Sequence, residues 1–133
     1  MAIASSMRIS ASALTAQRCR LDVIAGNLAN AQTTRTSEGG PYRRREVVFQ
    51  VADTGQGGGV RVARVQESAQ PPVQIYNPHH PDADPNGYVT VPNINPITEM
   101  VDMMAATRAY EANVTAFNAA KQMINAALEL GRG

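Results

Sequence analysis

Asn95 to Gly131 reads NPITEMVDMMAATRAYEANVTAFNAAKQMINAALELG, and this stretch decides the fold. From Ile97 to Leu130 it contains no glycine and no proline, so nothing in it breaks a helix. Asn95 is an N-cap residue type, Pro96 suits the first helical position, Glu99 puts a negative charge in the first turn, and Gly131 stands where a helix terminator belongs. Met103, Tyr110, Phe117 and Ile124 recur at heptad spacing, as do Met100, Thr107, Val114, Lys121 and Leu128. A seam of period about 3.5 is coiled-coil-like, although Thr107 and Lys121 dilute it.

The opposite end of the chain has the same character. All eight prolines fall between Pro41 and Pro96, and residues 1–38 hold a single glycine. Met7, Leu14, Leu21 and Leu28 stand one heptad apart, with Ile3 and Ile24 in complementary positions, which predicts a rod of roughly 43 Å at about 1.5 Å per residue. Away from this stripe the first segment carries only Arg8, Arg18, Arg20 and Asp22 as charges, and is otherwise Ser, Ala, Thr, Gln and Asn. A solvated helix face normally carries Lys and Glu. Both terminal helices are therefore expected to pack on more than one side, which calls for self-assembly or a partner. The plainer alternative is a helix pair with a thin stripe and an unusually uncharged surface.

Between the helices lie strands and turns. Tyr42 to Val51 (YRRREVVFQV) and Val60 to Val65 are rich in β-branched residues and are expected to pair antiparallel across the Gly55 to Gly59 run. Asn86-Gly87 is a tight-turn signal between Ile75-Tyr76 and Tyr88 to Val91, whose flanks would extend the same small sheet. The expected fold is mainly α with a small β-rich middle: long N- and C-terminal helices pairing as a coiled-coil-like bundle around an inserted small antiparallel β region. Its segments are 1–34, 35–94 and 95–133.

Composition narrows the function. At 133 residues the chain has no room for two full-sized domains, and a net charge of +1 offers no footprint for a nucleic acid. Aromatic residues make up 5%, with no Trp, so a self-sufficient core would be thin. No apolar run is long enough to insert in a membrane, and the N-terminus lacks the basic and apolar blocks of a cleavable leader. Cys19, alone, excludes an intrachain disulfide and reads as a helix-surface thiol. His79, His80, Asp82 and Asp84 are the one cluster that invites a metal or acid–base reading, but adjacent histidines diverge and Pro78, Pro81 and Pro85 point to a rigid turn. Gly55 to Gly59 lacks the Lys-Ser/Thr ending of a phosphate loop. Arg43-Arg44-Arg45 reads as a solvated or salt-bridging face balanced by Glu38 and Glu46. No cofactor is expected.

Ala25 to Thr34, AGNLANAQTT, ends the first helix. The side chains of Asn27 and Asn30 can cap carbonyls or bridge to a neighbouring chain, and Asn30 with Thr33 and Thr34 suits a helix exit. Here the chain resembles the bacterial flagellar axial proteins, whose rod and hook members carry an Asn-Leu/Ile-Ala-Asn motif past the first helix, matched by Asn27-Leu28-Ala29-Asn30. Together with YRRREVVF at Tyr42 to Phe49, NPHHPDADPNGYVTVPNIN at Asn77 to Asn95 and Glu99 to Lys121, the resemblance is to the small proximal-rod members of that family and covers nearly the whole chain.

The resemblance implies a structural protein. Its terminal helices would line an axial channel as an inner layer, the β-rich middle would lie outside them, and subunits would stack helically. The implied partners are copies of itself, other rod proteins, the hook-basal-body adaptor and the flagellar type III export apparatus. That apparatus would deliver the chain to the periplasm without leader cleavage. Asn27, Leu28, Asn30 and Thr33 would be packing and capping residues of the first helix, and Tyr110, Asn113, Val114, Phe117 and Asn118 their counterparts on the second, beside the stripe residues Met7, Leu14, Leu21, Met103 and Ile124. Two other readings stand behind it: a helical secretion effector or chaperone-like module, and a small metal-dependent enzyme at His79, His80, Asp82 and Asp84.

Overall fold

The computed structural model describes residues 2–52, 55 and 57–132, so Gln56 of the Gly55 to Gly59 run lies outside the described residues. The elements are α1 (Ala2–Ala29), β1 (Arg45–Val51), β2 (Val60–Glu67), β3 (Val73–Tyr76), β4 (Tyr88–Val91) and α2 (Pro96–Arg132). The helices are the two ends of the chain, as the sequence predicts. Asn95 caps α2: its Oδ1 accepts from the Ile97 amide at 3.0 Å and its carbonyl accepts from the Glu99 amide at 3.0 Å. Gly131 does not end α2, which runs on to Arg132. Glycine costs only about 1 kcal/mol relative to alanine in a helix, and here its neighbours Leu130 and Arg132 are exposed.

The helices are antiparallel. Ala2, Ile3 and Ala4 border one cavity with Ile124, Ala127 and Leu128, while Ile24 and Asn27 border another with Glu99 and Asp102. On α1 the sheltered row is Ile3, Met7, Ser10, Leu14, Gln17, Leu21, Ile24 and Leu28, alternating steps of four and three. On α2 it is Glu99, Met103, Ala106, Tyr110, Asn113, Phe117, Ala120 and Ile124 in the same steps. The row Met103, Tyr110, Phe117, Ile124 thus lies in the seam, but its complement is not the one read from the sequence. Met100, Thr107, Lys121 and Leu128 are exposed and only Val114 is half-buried. The true complement is one residue earlier, where Ala106 and Ala120 are fully buried. Alanine is nearly silent in a hydropathy pattern, yet in a seam it lets the facing helix come close.

α1 packs on two sides within one chain. Besides α2 it meets β1 and β2. Ser12 Oγ accepts from the Val60 amide at 3.1 Å, and Ala16 is buried. Part of the uncharged back of α1, which the sequence reading assigned to self-assembly or a partner, is covered by the protein's own hairpin, while Ser6, Ile9, Thr15 and Ala25 stay exposed. Among the elements α2 meets only α1, so its outer face stays open among the described residues.

β1 and β2 pair antiparallel from Arg45↔Glu67 to Val51↔Val60, with a register shift between Val48 and Phe49 that leaves Ala63 as the extra residue. The strand begins at Arg45, not Tyr42. The Tyr42 amide donates instead to the Thr33 carbonyl at 3.1 Å. β3 and β4 form a separate sheet, Val73↔Val91 to Tyr76↔Tyr88, and do not extend the first. Asn86-Gly87 is not a two-residue hairpin loop; it closes the segment 77–87, with the Gly87 amide donating to the Asp84 carbonyl at 2.9 Å. Gly87 has φ +87°, and a Cβ there would lie 2.8 Å from Tyr76 Cε2, so only glycine fits.

The alanine seam yields a direct test. Ala106→Leu forces a larger side chain into a fully buried position and is expected to lower stability by about 1–3 kcal/mol. Thr107→Leu, on the exposed row, should change it by less than about 0.5 kcal/mol. Urea unfolding followed by circular dichroism separates the two.

Candidate functional site

The last turn of α1 presents Asn27 towards the first residue of β1, and the side chain is 1% exposed. Its Nδ2 donates to the Arg45 carbonyl at 2.8 Å, and its Oδ1 accepts from the Arg45 amide at 3.0 Å. A carboxamide offers one donor and one acceptor in a plane, as a peptide group does, so Asn27 stands in for a neighbouring strand at the edge of β1. The Tyr42 hydroxyl donates to the same Oδ1 at 2.9 Å. Burial raises the Tyr42 pKa; the Arg45 charge lowers it and the Glu99 charge raises it, so the phenol remains a donor through neutral pH.

Asn30 works locally. Its Nδ2 donates to the Gly26 carbonyl at 2.8 Å, beside its own amide at 3.1 Å, and its Oδ1 accepts from the Thr33 hydroxyl at 3.1 Å. Thr33 then passes its carbonyl to the Tyr42 amide. The motif therefore divides its labour: Asn30 closes the helix and Asn27 fastens the strand.

Glu99, in the first turn of α2, completes the junction. It is 1% exposed, and its Oε1 accepts from Arg44 Nε at 2.5 Å. Arg44 also lies 3.5 Å from Glu46, while its carbonyl accepts from the Ser68 amide at 2.7 Å just beyond β2. The arginine run is thus balanced by Glu46 and, across the fold, Glu99 rather than Glu38. Glu99 Oε2 has no hydrogen-bond partner and borders a cavity of about 160 Å³ with Arg20, Asn27, Arg44 and Asp102. Four elements meet here through two adjacent residues of one strand entry, Arg44 and Arg45.

Of the other residues singled out from the sequence, Met7, Leu14, Leu21, Leu28 and Thr33 are half-buried, as are Met103, Tyr110, Asn113, Val114, Phe117 and Ile124; Asn118 is exposed. Asn113 Nδ2 donates back to the Ala109 carbonyl at 2.7 Å. Tyr42, Arg44, Arg45 and Glu99 were missed as a site. The available signal was Glu99 itself, an acid in heptad register with Met103 and Ala106 at a position that should be apolar.

The His79 to Asp84 segment has its donor atoms engaged in shaping a turn. His80 Nδ1 accepts from the Asp82 amide at 3.0 Å, Asp82 Oδ2 accepts from the Thr34 hydroxyl at 2.7 Å, and Asp82 Oδ1 pairs with Arg35 at 2.5 Å. Asp84 Oδ1 accepts from the amides of Asn86 and Tyr88. Among the described residues no three His, Cys, Asp or Glu side chains are placed to hold a metal ion. The metal-enzyme reading finds no support in this geometry.

Comparison with known proteins addresses the same elements. Residues 7–35 match the family model described as flagella basal body rod protein, and residues 86–130 match that described as flagellar basal body rod FlgEFG protein C-terminal. The chain is 48% identical to the flagellar basal-body rod protein FlgC of Salmonella typhimurium, over 99% of this chain and 100% of the relative. It is 43% identical to that of Borreliella burgdorferi over the whole of both chains, and 45% to that of Bacillus subtilis over 96% of this chain and 97% of the relative.

Removing the Asn27 carboxamide leaves two backbone groups and a phenol without partners, so Asn27→Ala is expected to cost about 2–4 kcal/mol, against about 1 kcal/mol for Tyr42→Phe. Because the folded pKa of Tyr42 is raised, its contribution is present below the unfolded value of about 10 and is lost as pH rises through the folded one. Urea unfolding at neutral and alkaline pH, with the phenolate absorbance as monitor, checks both statements.

Proposed function

The chain belongs to the flagellar basal-body rod proteins of the FlgC type, and on that premise we propose how its structure serves the rod. It is a structural subunit of the basal body. The observation that carries the assembly mechanism is the outer face of α2. Ile97, Met100, Val101 and Met104 are 73%, 54%, 58% and 56% exposed, and they follow the i, i+3, i+4, i+7 pattern of one helix face. Met123, Leu128 and Leu130 add further exposed apolar side chains towards the other end. A helix of about 55 Å that among the elements meets only α1, and that offers such a stripe, is built to be covered by neighbours.

Those neighbours are copies of this chain and other rod proteins, packing laterally on α2 while α1 stays committed to its own hairpin. The segments 1–34 and 95–133 form the axial unit and 35–94 the outer one, with Asn113, Val114, Phe117 and Asn118 contributing to helix packing. The hook-basal-body adaptor at the rod base and the flagellar type III export apparatus are the further partners. The rod passes through the periplasm, which the chain reaches without a cleaved leader, and the role includes no catalytic step. Support for export comes from the core. Among the described residues its buried apolar residues are Ala16, Ile24, Val89, Ala106 and Ala120, of which three are alanines, so little apolar area opposes unfolding.

The double variant Val101→Asp with Met104→Asp tests this reading. Both side chains are exposed in the single chain, so its thermal midpoint should stay within about 2 °C. Recovery of rods from cells carrying only the variant should fall roughly tenfold or more, because carboxylates would be buried between subunits. Normal swimming with normal rod yield would refute the assignment.

A further inference from the structure

We propose that His80 is a proton-operated release that, when neutral, holds the β3–β4 hairpin against the corner following α1. The Asp82 amide can only donate, so His80 Nδ1, 3.0 Å away, must carry a lone pair and the ring must be neutral with its proton on Nε2. The turn made by this bond, reinforced by the Ala83 amide on the His80 carbonyl at 3.0 Å, aims the Asp82 carboxylate at Thr34 and Arg35. Those two residues follow directly on the Asn30 and Thr33 bonds that close α1. One imidazole lone pair thus supports the polar strap between segment 77–87 and the exit from the first helix.

Protonation puts an N–H on Nδ1, facing the Asp82 N–H. Two donors cannot pair, so the ring must turn away or the turn must open. The Asp82 carboxylate attracts a protonated ring, but its charge supplies no acceptor to the Asp82 N–H, so the clash of two donors stands. Both Asp82 oxygens are already engaged, with Thr34 and with Arg35, and on the same loop Asp84 Oδ1 holds the amides of Asn86 and Tyr88 while His79 is exposed. The other residues around the adjoining cavity of about 420 Å³, from β3, β4 and the approach to α2, are uncharged. Opening the strap uncovers the apolar side of that cavity, including Val89, which is otherwise 2% exposed. The Thr34 hydrogen bond, together with the nearby Arg35 and His80 charges, outweighs desolvation and holds the Asp82 pKa below the ordinary carboxylate value. Asp82 therefore stays ionised at neutral and mildly acidic pH, and a pH response at this turn is assigned to the His80 ring by its geometry.

The test uses the purified full-length chain and amide hydrogen exchange by NMR, corrected for the intrinsic pH dependence of exchange. The corrected rate at the Asp82 amide is expected to rise about five- to tenfold between about pH 7.5 and pH 5.5, the loss of one hydrogen bond. His80→Asn keeps an acceptor at the place of Nδ1 and removes the titration, so it should be protected equally at both pH values. His80→Ala should exchange fast at both, and His79→Asn should behave as the unaltered chain. A flat profile in the unaltered chain, a persisting response in His80→Asn or retained protection in His80→Ala would overturn the proposal.

Discussion

A single carboxamide, that of Asn27, fastens the entry of the first strand to the last turn of α1, where the packing of β1 and β2 along that helix begins. The entry to β1 presents the Arg45 N–H and C=O on the side away from β2, and a buried peptide group without partners is costly. No strand is available at that edge. A helix ordinarily cannot supply one, because its own backbone groups are consumed internally. Asn27 resolves the conflict by offering, from the last turn of α1, a planar donor and acceptor at the spacing of a peptide. The Tyr42 hydroxyl uses the remaining lone pair of Oδ1, which fixes the amide's orientation and leaves no freedom to flip. Position, burial and hydrogen-bond pattern all select asparagine: aspartate lacks the donor, and leucine lacks both groups.

The Arg44–Glu99 pair, in which the carboxylate is buried and the guanidinium half-buried, acts one residue away and by a different effect. An ion pair taken out of water gains little net stability, since desolvation offsets much of the attraction. Its value is in what happens when it is wrong. A misregistered β1 or a rotated α2 would leave Glu99 charged and alone beside Asn27 and Asp102, which is several kcal/mol worse than the native arrangement. The apolar seam alone fixes neither rotation nor offset well, because so many of its positions are alanine, serine or half-buried. The polar junction at one end supplies the register that the thin seam leaves loose, and the seam transmits it along about 42 Å of α1.

The sequence made the helices, the first hairpin and the cap at Asn95 legible because these depend on local signals: proline and glycine punctuation, heptad spacing and β-branched runs. It hid the second row of the α2 seam, since Ala106 and Ala120 contribute by being small and a hydropathy pattern registers only what is large. It also hid the cover on the back of α1. A face of serine and alanine announces close packing but not with what, and the covering element proved to be β1 and β2 of the same chain. Asn27 and Asn30 look alike in the motif, yet one bonds four residues back and the other bonds eighteen residues on. Nothing local distinguishes them, because the distinction lies in which face of the last turn meets β1. Glu99 was read as a helix-dipole charge, and its place within the seam register was the clue to its burial.

These features bear on how a rod subunit reconciles two opposed demands. The proposed passage through an export channel would favour a chain that unfolds at small cost, while a structural rod would favour rigid contacts. A single chain with a large apolar core would satisfy the second demand at the expense of the first. Here the intrachain fold relies on a narrow seam and a few directional bonds, which give a defined shape with modest buried apolar area. Four large apolar side chains of α2, Ile97, Met100, Val101 and Met104, are kept out of that core and on the surface. Their burial free energy is unavailable to the lone chain and is released only when a neighbour covers them. On the proposed packing, rigidity would arise at the moment of assembly, from residues that contribute little to resisting unfolding beforehand.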